Sequence, residues 1–162
     1  MYFRLRLDPS PFLLVVCLLL GACTPRSSIV AAPTLGTEFL AAVRQARGTL
    51  DEFKERILVP HPGRSFVALR VRFASPDGSS QDIWVDNISY GEGGFRGTMG
   101  DDIPALKLFF GDRIPIPEKD VVDWMIVEDN VLIGGYTIRL AYQRMSPREQ
   151  ELFLQDAGYR IK

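Results

Sequence analysis

The chain has 162 residues, 46% of them hydrophobic and 24% charged, with 19 Lys and Arg against 20 Asp and Glu. It carries one His and two Cys. The length fits one domain, and the hydrophobic content is too high for a wholly disordered chain. The near-neutral balance lacks the basic stripe of a nucleic-acid binder, and so few thiols and imidazoles exclude a Cys/His zinc site. No metal and no cofactor is expected.

The first residues read as an address. Arg4 and Arg6 form a short positive start, Phe12 to Leu20 is unbroken apolar chain, and Leu20-Gly21-Ala22-Cys23 closes it. This is the three-part layout of a secretory signal, and the apolar run is too short to span a bilayer. Leu-Gly-Ala-Cys resembles the bacterial lipobox. That resemblance implies cleavage before Cys23, a diacylglyceryl thioether on its sulfur and an acylated amino group, palmitate being a typical acyl chain. Multiple acyl chains anchor stably where one would not. The expected organisation is a signal peptide over 1–22, a lipidated Cys23 and tether over 23–36, and one globular domain over 37–162.

Thr24 follows Cys23 at the position where an Asp marks inner-membrane retention in Gram-negative bacteria. The expected location is therefore the cell envelope, lipid-anchored, on the periplasmic face of the outer membrane if the host is Gram-negative. Cys17 leaves with the signal and Cys23 is acylated, so the mature domain has neither thiol nor disulfide. Loss of Arg4, Arg6 and Asp8 leaves 17 basic and 19 acidic residues, a net charge of -2. The Pro-, Ser- and Ala-rich stretch from Thr24 to Leu35 would span about 20 Å as a flexible chain.

Phe39, Val43, Ala46, Leu50, Phe53 and Ile57 recur at spacings of three and four, which predicts helix over Thr37 to Leu58. Gly48 interrupts it, and Thr49 to Glu52 has the spacing of a capping box. Pro60 and Pro62 end the region, with the lone His61 between them in a loop. From Ser65 the period changes to two, with Val67, Leu69, Val71 and Phe73 on one face. Pro76 to Ser79 is a turn, and Asp82 to Tyr90 and Phe95 to Met99 continue as strands. Pro115 and Pro117 confine Arg113 to Pro117 to a sheet edge. Val121 to Val127 is a strand with Val122, Trp124 and Ile126 on one face. Asp129-Asn130 suits a tight hairpin, with Val131 to Tyr142 as partner strand bulged at Gly134-Gly135. Ser146-Pro147-Arg148-Glu149 starts a last helix, and Gly158 stops it. The expected fold is α+β: about six antiparallel strands in a curved sheet, with a partial barrel as one form of it, packed against an N-terminal helix, with a short C-terminal helix.

The order Asp82-Ile83-Trp84-Val85, Gly97, Pro104, Gly111-Asp112, Val122-Asp123-Trp124-Met125 and Gly134-Gly135-Tyr136-Thr137-Ile138-Arg139 resembles the YegJ-like bacterial family, domain of unknown function 2314. The resemblance runs from about Thr37 to Lys162. It implies a shared fold and, since several members also look like lipoproteins, supports the anchor; it supplies no reaction. The chain departs from the family pattern at Asp101-Asp102-Ile103-Pro104, where an Asn-(Glu/Asp)-Pro turn is usual.

Catalytic constellations are scarce. Two acid groupings are candidates, Asp101-Asp102 and Asp112 with Glu118, Asp120 and Asp123, and neither has calcium-loop spacing. A Ser-His-Asp triad has only the loop residue His61 to draw on and lacks its Gly-x-Ser-x-Gly elbow, and no phosphate-cradling glycine loop occurs. No catalytic residue and no metal ligand is assigned. Alternation puts Asp123 opposite the core-facing Trp124, and puts Trp84 on one face with Asp86, on the side away from Ile83 and Val85. Packing under the N-terminal helix is the expected place for Trp84. Trp84, Asp86, Asp123 and Tyr136 are the candidate binding residues. The reading that follows is a membrane-tethered binding module of the envelope, with an envelope protein or glycan as partner and no nucleic acid. Two alternatives stand beside it: a carboxylate-dependent enzyme acting on glycan, and an immunity-like or scaffold lipoprotein.

Overall fold

The computed structural model describes residues 36–162, so the signal, the lipobox with Cys23 and nearly all of the tether lie outside the described residues. The amphipathic stripe forms two helices, α1 (Thr37–Gly48) and α2 (Leu50–Leu58), broken next to Gly48 as its sequence predicts. Phe39, Val43, Ala46, Leu50 and Phe53 are buried along it. The capping box at Thr49 does not form. The Thr49 hydroxyl instead accepts from Trp124 Nε1 at 3.0 Å and bonds the Tyr136 hydroxyl at 3.0 Å. It also lies within 3.1–3.2 Å of the carbonyls of Gln45 and Ala46, at the end of α1 rather than the start of α2.

Strands β1 (Arg64–Ala74), β2 (Ser80–Gly91), β3 (Gly94–Met99) and β4 (Arg113–Ile116) form an antiparallel meander, with the Pro-bearing β4 at the edge as expected. Strand β5 (Val121–Glu128) then returns to pair with β1, and β6 (Val131–Gly134) pairs with β5. The sheet order is β4-β3-β2-β1-β5-β6. Only Pro117–Asp120 connect β4 to β5. The five peptide steps from Ile116 to Val121 reach at most about 18 Å. Four strand spacings across a flat sheet already come to about 19 Å. The sheet is therefore strongly coiled, yet open: β4 and β6 remain its two edges.

The inner face of that curve carries the main core, including Leu69, Val71, Val85, Phe95, Trp124 and Ile126, closed by Ala46, Leu50 and Phe53. Phe53 sits 5.4 Å from the Trp124 ring and 5.8 Å from the Phe95 ring. One expectation about β5 is corrected. The register slips between Arg70 and Val71, which pair with Asp123 and Val121. Val122 is the extra residue of a bulge. Val121 thus joins Trp124 and Ile126 in the main core, while Val122 packs with Phe39, Val43 and Ala141.

A second correction concerns Val131 to Tyr142. The strand ends at Gly134, and Tyr136–Gln143 is helix α3. Gly134 and Gly135 have φ of 68° and 63°, which takes the chain out of the strand conformation. The apparent alternation of Tyr136, Ile138, Leu140 and Tyr142 concealed a helical face of Thr137, Ile138 and Ala141, all buried. The last helix, α4 (Pro147–Ala157), follows its sequence closely. Ser146 and Glu149 form both bonds of the capping box, and Gly158 ends the helix at φ 70°. Replacing Ser146 by Ala should lower unfolding free energy by about 1 kcal/mol in urea titrations, because one orphan N–H loses its acceptor.

Candidate functional site

Asp123 is fully buried on the outer face of β5. Its carboxylate accepts from the backbone N–H of Trp124 (2.8 Å), Tyr136 (3.2 Å) and Thr137 (2.7 Å), and from the Thr137 hydroxyl (2.7 Å). Helix α3 begins on Gly135, which has no capping side chain, so a carboxylate from the neighbouring strand satisfies its first amides. Burial raises the carboxyl's pKa above the ordinary Asp value, opposed by the Thr137 hydroxyl and the three amides.

Arg70 extends this network. It is 5% exposed, donates from Nη1 to the Thr137 hydroxyl at 3.2 Å, and lies over the Phe39 ring. Its Nη2 is 3.8 Å from Asp82, a carboxylate gripped by Arg72 at 2.8 and 3.0 Å. Burial lowers the Arg70 pKa, opposed by the charges of Asp82 and Asp123. Asp82, Arg70, Thr137 and Asp123 therefore tie β2, β1, α3 and β5 together through polar groups withdrawn from solvent.

Tyr136 is half-buried, its ring edge-on to Trp124 at 5.9 Å. It lines a cleft of about 750 Å³ between α1, β6 and α3. Glu38, Ala41 and Gln45 form the α1 wall, Ile133 belongs to β6, and Tyr136 and Arg139 come from α3. The edge of β6 is not free to accept a strand. Arg139 donates to the carbonyls of Gly134 (2.7 Å) and Leu132 (2.7 Å), and the Leu132 N–H donates to Arg160 O at 2.9 Å. The edge of β6 thus offers no free backbone groups there for strand addition.

Trp84 and Asp86 lie elsewhere. Trp84 is half-buried and packs, with Phe153, Tyr159 and Ile161, against the outer-face cluster of Ala68, Met125, Val127, Leu132 and Ile138. The cluster it joins is shared with the C-terminal region and includes no residue of α1 or α2, so Trp84 does not pack under the N-terminal helix as expected. Asp86 is half-buried beside a bulge at Asn87, whose φ is 49°. Burial raises its pKa, opposed by the Asn87 amide at 3.0 Å. Of the four candidates, then, Asp123 and Tyr136 meet at the start of α3, while Trp84 and Asp86 share a different stretch of sheet.

Four of the other acids singled out in the sequence are occupied. Asp101 accepts from Asp102 N, Asp102 from Phe110 N and Asp112 from Phe109 N, at 2.7–2.8 Å. Glu118 pairs with Lys54 at 3.0 Å. His61 accepts through Nδ1 from Gly63 N at 3.2 Å, a loop contact. Among the described residues no group of three or more His, Cys, Asp or Glu is placed to hold a metal ion. No helix among them is long and apolar enough to cross a membrane. Sequence reasoning missed Arg139, Gln45 and the cleft itself. The available signal was the Gly134-Gly135 pair, which halts the edge strand and opens room beside it.

These features define an α+β domain with one coiled antiparallel sheet and a lateral cleft at its short edge. The chain belongs to the family described as "Uncharacterized protein conserved in bacteria (DUF2314)", whose model matches residues 37–161. It is similar to the "Uncharacterized protein YegJ" of Escherichia coli (strain K12), with 28% identity over 100 residues, 60% of this chain and 62% of that protein. The match thus spans less than two thirds of that relative. No solved structure matches.

Proposed function

We propose that the protein is a membrane-tethered binding module of the bacterial cell envelope, anchored through lipid on Cys23, whose cleft holds part of an envelope protein or glycan. One observation carries the binding function: a cleft of about 750 Å³ beside a sheet edge already closed by Arg139. Its lining mixes apolar wall with a few polar tips (Gln45, Tyr136 and Arg139 among them), the composition expected of a recognition site. The enzyme alternative has less support. The carboxylates it would use either cap backbone amides in their own loop or lie buried under α3.

Ala41 is exposed and lines the cleft, so a bulky side chain there fills the site without entering the core. Crosslinking and pull-down from envelopes should recover a specific protein or glycan on the wild-type lipoprotein. Ala41→Trp should reduce that recovery about tenfold or more, equivalent to about 1.4 kcal/mol. Equal recovery on both chains would place binding elsewhere.

A further inference from the structure

A second surface lies between β3 and β4, in the loop Gly100–Asp112. Phe110 is 75% exposed and Phe109 50% exposed at its tip. Phe110 is the most exposed large apolar side chain among the described residues. Slack chain can leave an aromatic in water by accident, but this loop is not slack. Ile103 is fully buried and plugs the loop into the main core. Ile103 and Leu108 exchange backbone bonds of 2.8 and 3.3 Å, and Gly111 N donates to Met99 O at 3.0 Å.

The two phenylalanines are fixed at the backbone by carboxylates. Asp112 accepts from Phe109 N at 2.8 Å and Asp102 accepts from Phe110 N at 2.7 Å. Such an aromatic pair loses little further freedom on binding, which is what makes a rigid aromatic an effective anchor. The same carboxylates define what fits. Asp101, Asp102 and Asp112 are exposed, and against them stands the exposed Lys107 alone, since Arg113 turns away to Asn87 O and Ser89 Oγ. An anionic phospholipid surface is repelled by this rim. A cationic rim around an apolar pocket complements it.

We propose that the Phe109–Phe110 loop is a docking tip for a folded protein that presents an apolar pocket rimmed by Lys or Arg. The surface is separate from the cleft and does not depend on the lipid anchor, so its test can fail while the cleft reading stands.

The test places p-benzoylphenylalanine at Phe110 in the full chain and irradiates producing cells. The expected result is a defined protein adduct whose crosslinked segment carries Lys or Arg beside apolar residues. The captured protein, once purified, should bind the wild-type chain in a salt-sensitive manner. Phe109→Ala with Phe110→Ala should weaken that binding at least about thirtyfold. Lys107→Glu should strengthen it at low salt, and Leu58→Ala, which removes an exposed apolar side chain outside the loop, should leave it unchanged. Absence of an adduct at Phe110 overturns the proposal, as does binding indifferent to the double substitution. A membrane-lipid adduct at Phe110 in place of a protein adduct would overturn it in favour of a bilayer.

Discussion

Asp123→Ala should destabilise the domain by about 3–5 kcal/mol, read as a fall in the urea midpoint at unchanged m-value. The substitution removes one side chain but strands four donors. The amides of Trp124, Tyr136 and Thr137 and the Thr137 hydroxyl all converge on this carboxylate, and it is fully buried. Each buried donor left unpaired costs about 1–3 kcal/mol, partly relieved where water can enter. Arg70 loses a neighbouring negative charge as well. Thr137→Val keeps the shape and removes a single hydroxyl, so it should cost about 1–2 kcal/mol.

The same residue sets a pH dependence of known sign. Burial raises the folded-state pKa of Asp123 above its unfolded value. Between the two values the folded chain holds more protons than the unfolded one, so this group's contribution falls as pH rises through that interval. Its favourable part is fully present below the unfolded pKa. Asp123→Asn has no proton to lose there, so the stability difference between wild type and variant should slope with pH across the window above the ordinary Asp range. A flat difference would mean that the hydrogen bonds outweigh burial.

Gly134→Ala is expected to be the second severe change, at about 3 kcal/mol. Two costs combine. Gly134 sits at φ 68°, where an L side chain costs about 1–2 kcal/mol. An added Cβ would also stand 2.5 Å from Trp124 Cε3 and 2.6 Å from Trp124 O. The indole cannot retreat easily, because its Nε1 is bonded to Ala46 O and Thr49 and its ring is wedged against Phe53. Overpacking of this kind costs about 1–3 kcal/mol. Gly135→Ala should cost less. It shares the positive φ, but its added Cβ meets the flexible end of Leu132 at 2.7 Å. Urea unfolding of both variants, with the Trp124 emission maximum recorded in the folded state, checks the order.

Periodicity made much of the fold legible. The stripe from Phe39 to Ile57, the alternation from Val67 to Phe73 and the Ser146 capping box each appear where local chemistry and tertiary demand agree. What failed was non-local. The Thr49 hydroxyl makes no capping box and instead bonds Trp124, Tyr136 and the carbonyls that end α1. Val122 changes sides because β5 is bulged against β1, and a one-residue slip moves a side chain to another face. Helix α3 was masked because its cap, Asp123, comes from another strand rather than from the preceding residue. The site was less legible than the fold. Tyr136 does line the cleft, but Ala41, Gln45 and Arg139 carry no local signature. Asp123 and Trp84 were singled out by alternation; Asp123 lies fully buried and Trp84 packs against the outer-face cluster.

Labelled palmitate offered to cells that produce the protein tests the tethered-module account most directly. Incorporation into the wild-type chain, lost in Cys23→Ala, which keeps its uncleaved signal and so runs larger than the wild-type chain, is the result the account predicts. Equal labelling of both chains, or a wild-type chain that is unlabelled and recovered free of membranes, would contradict it.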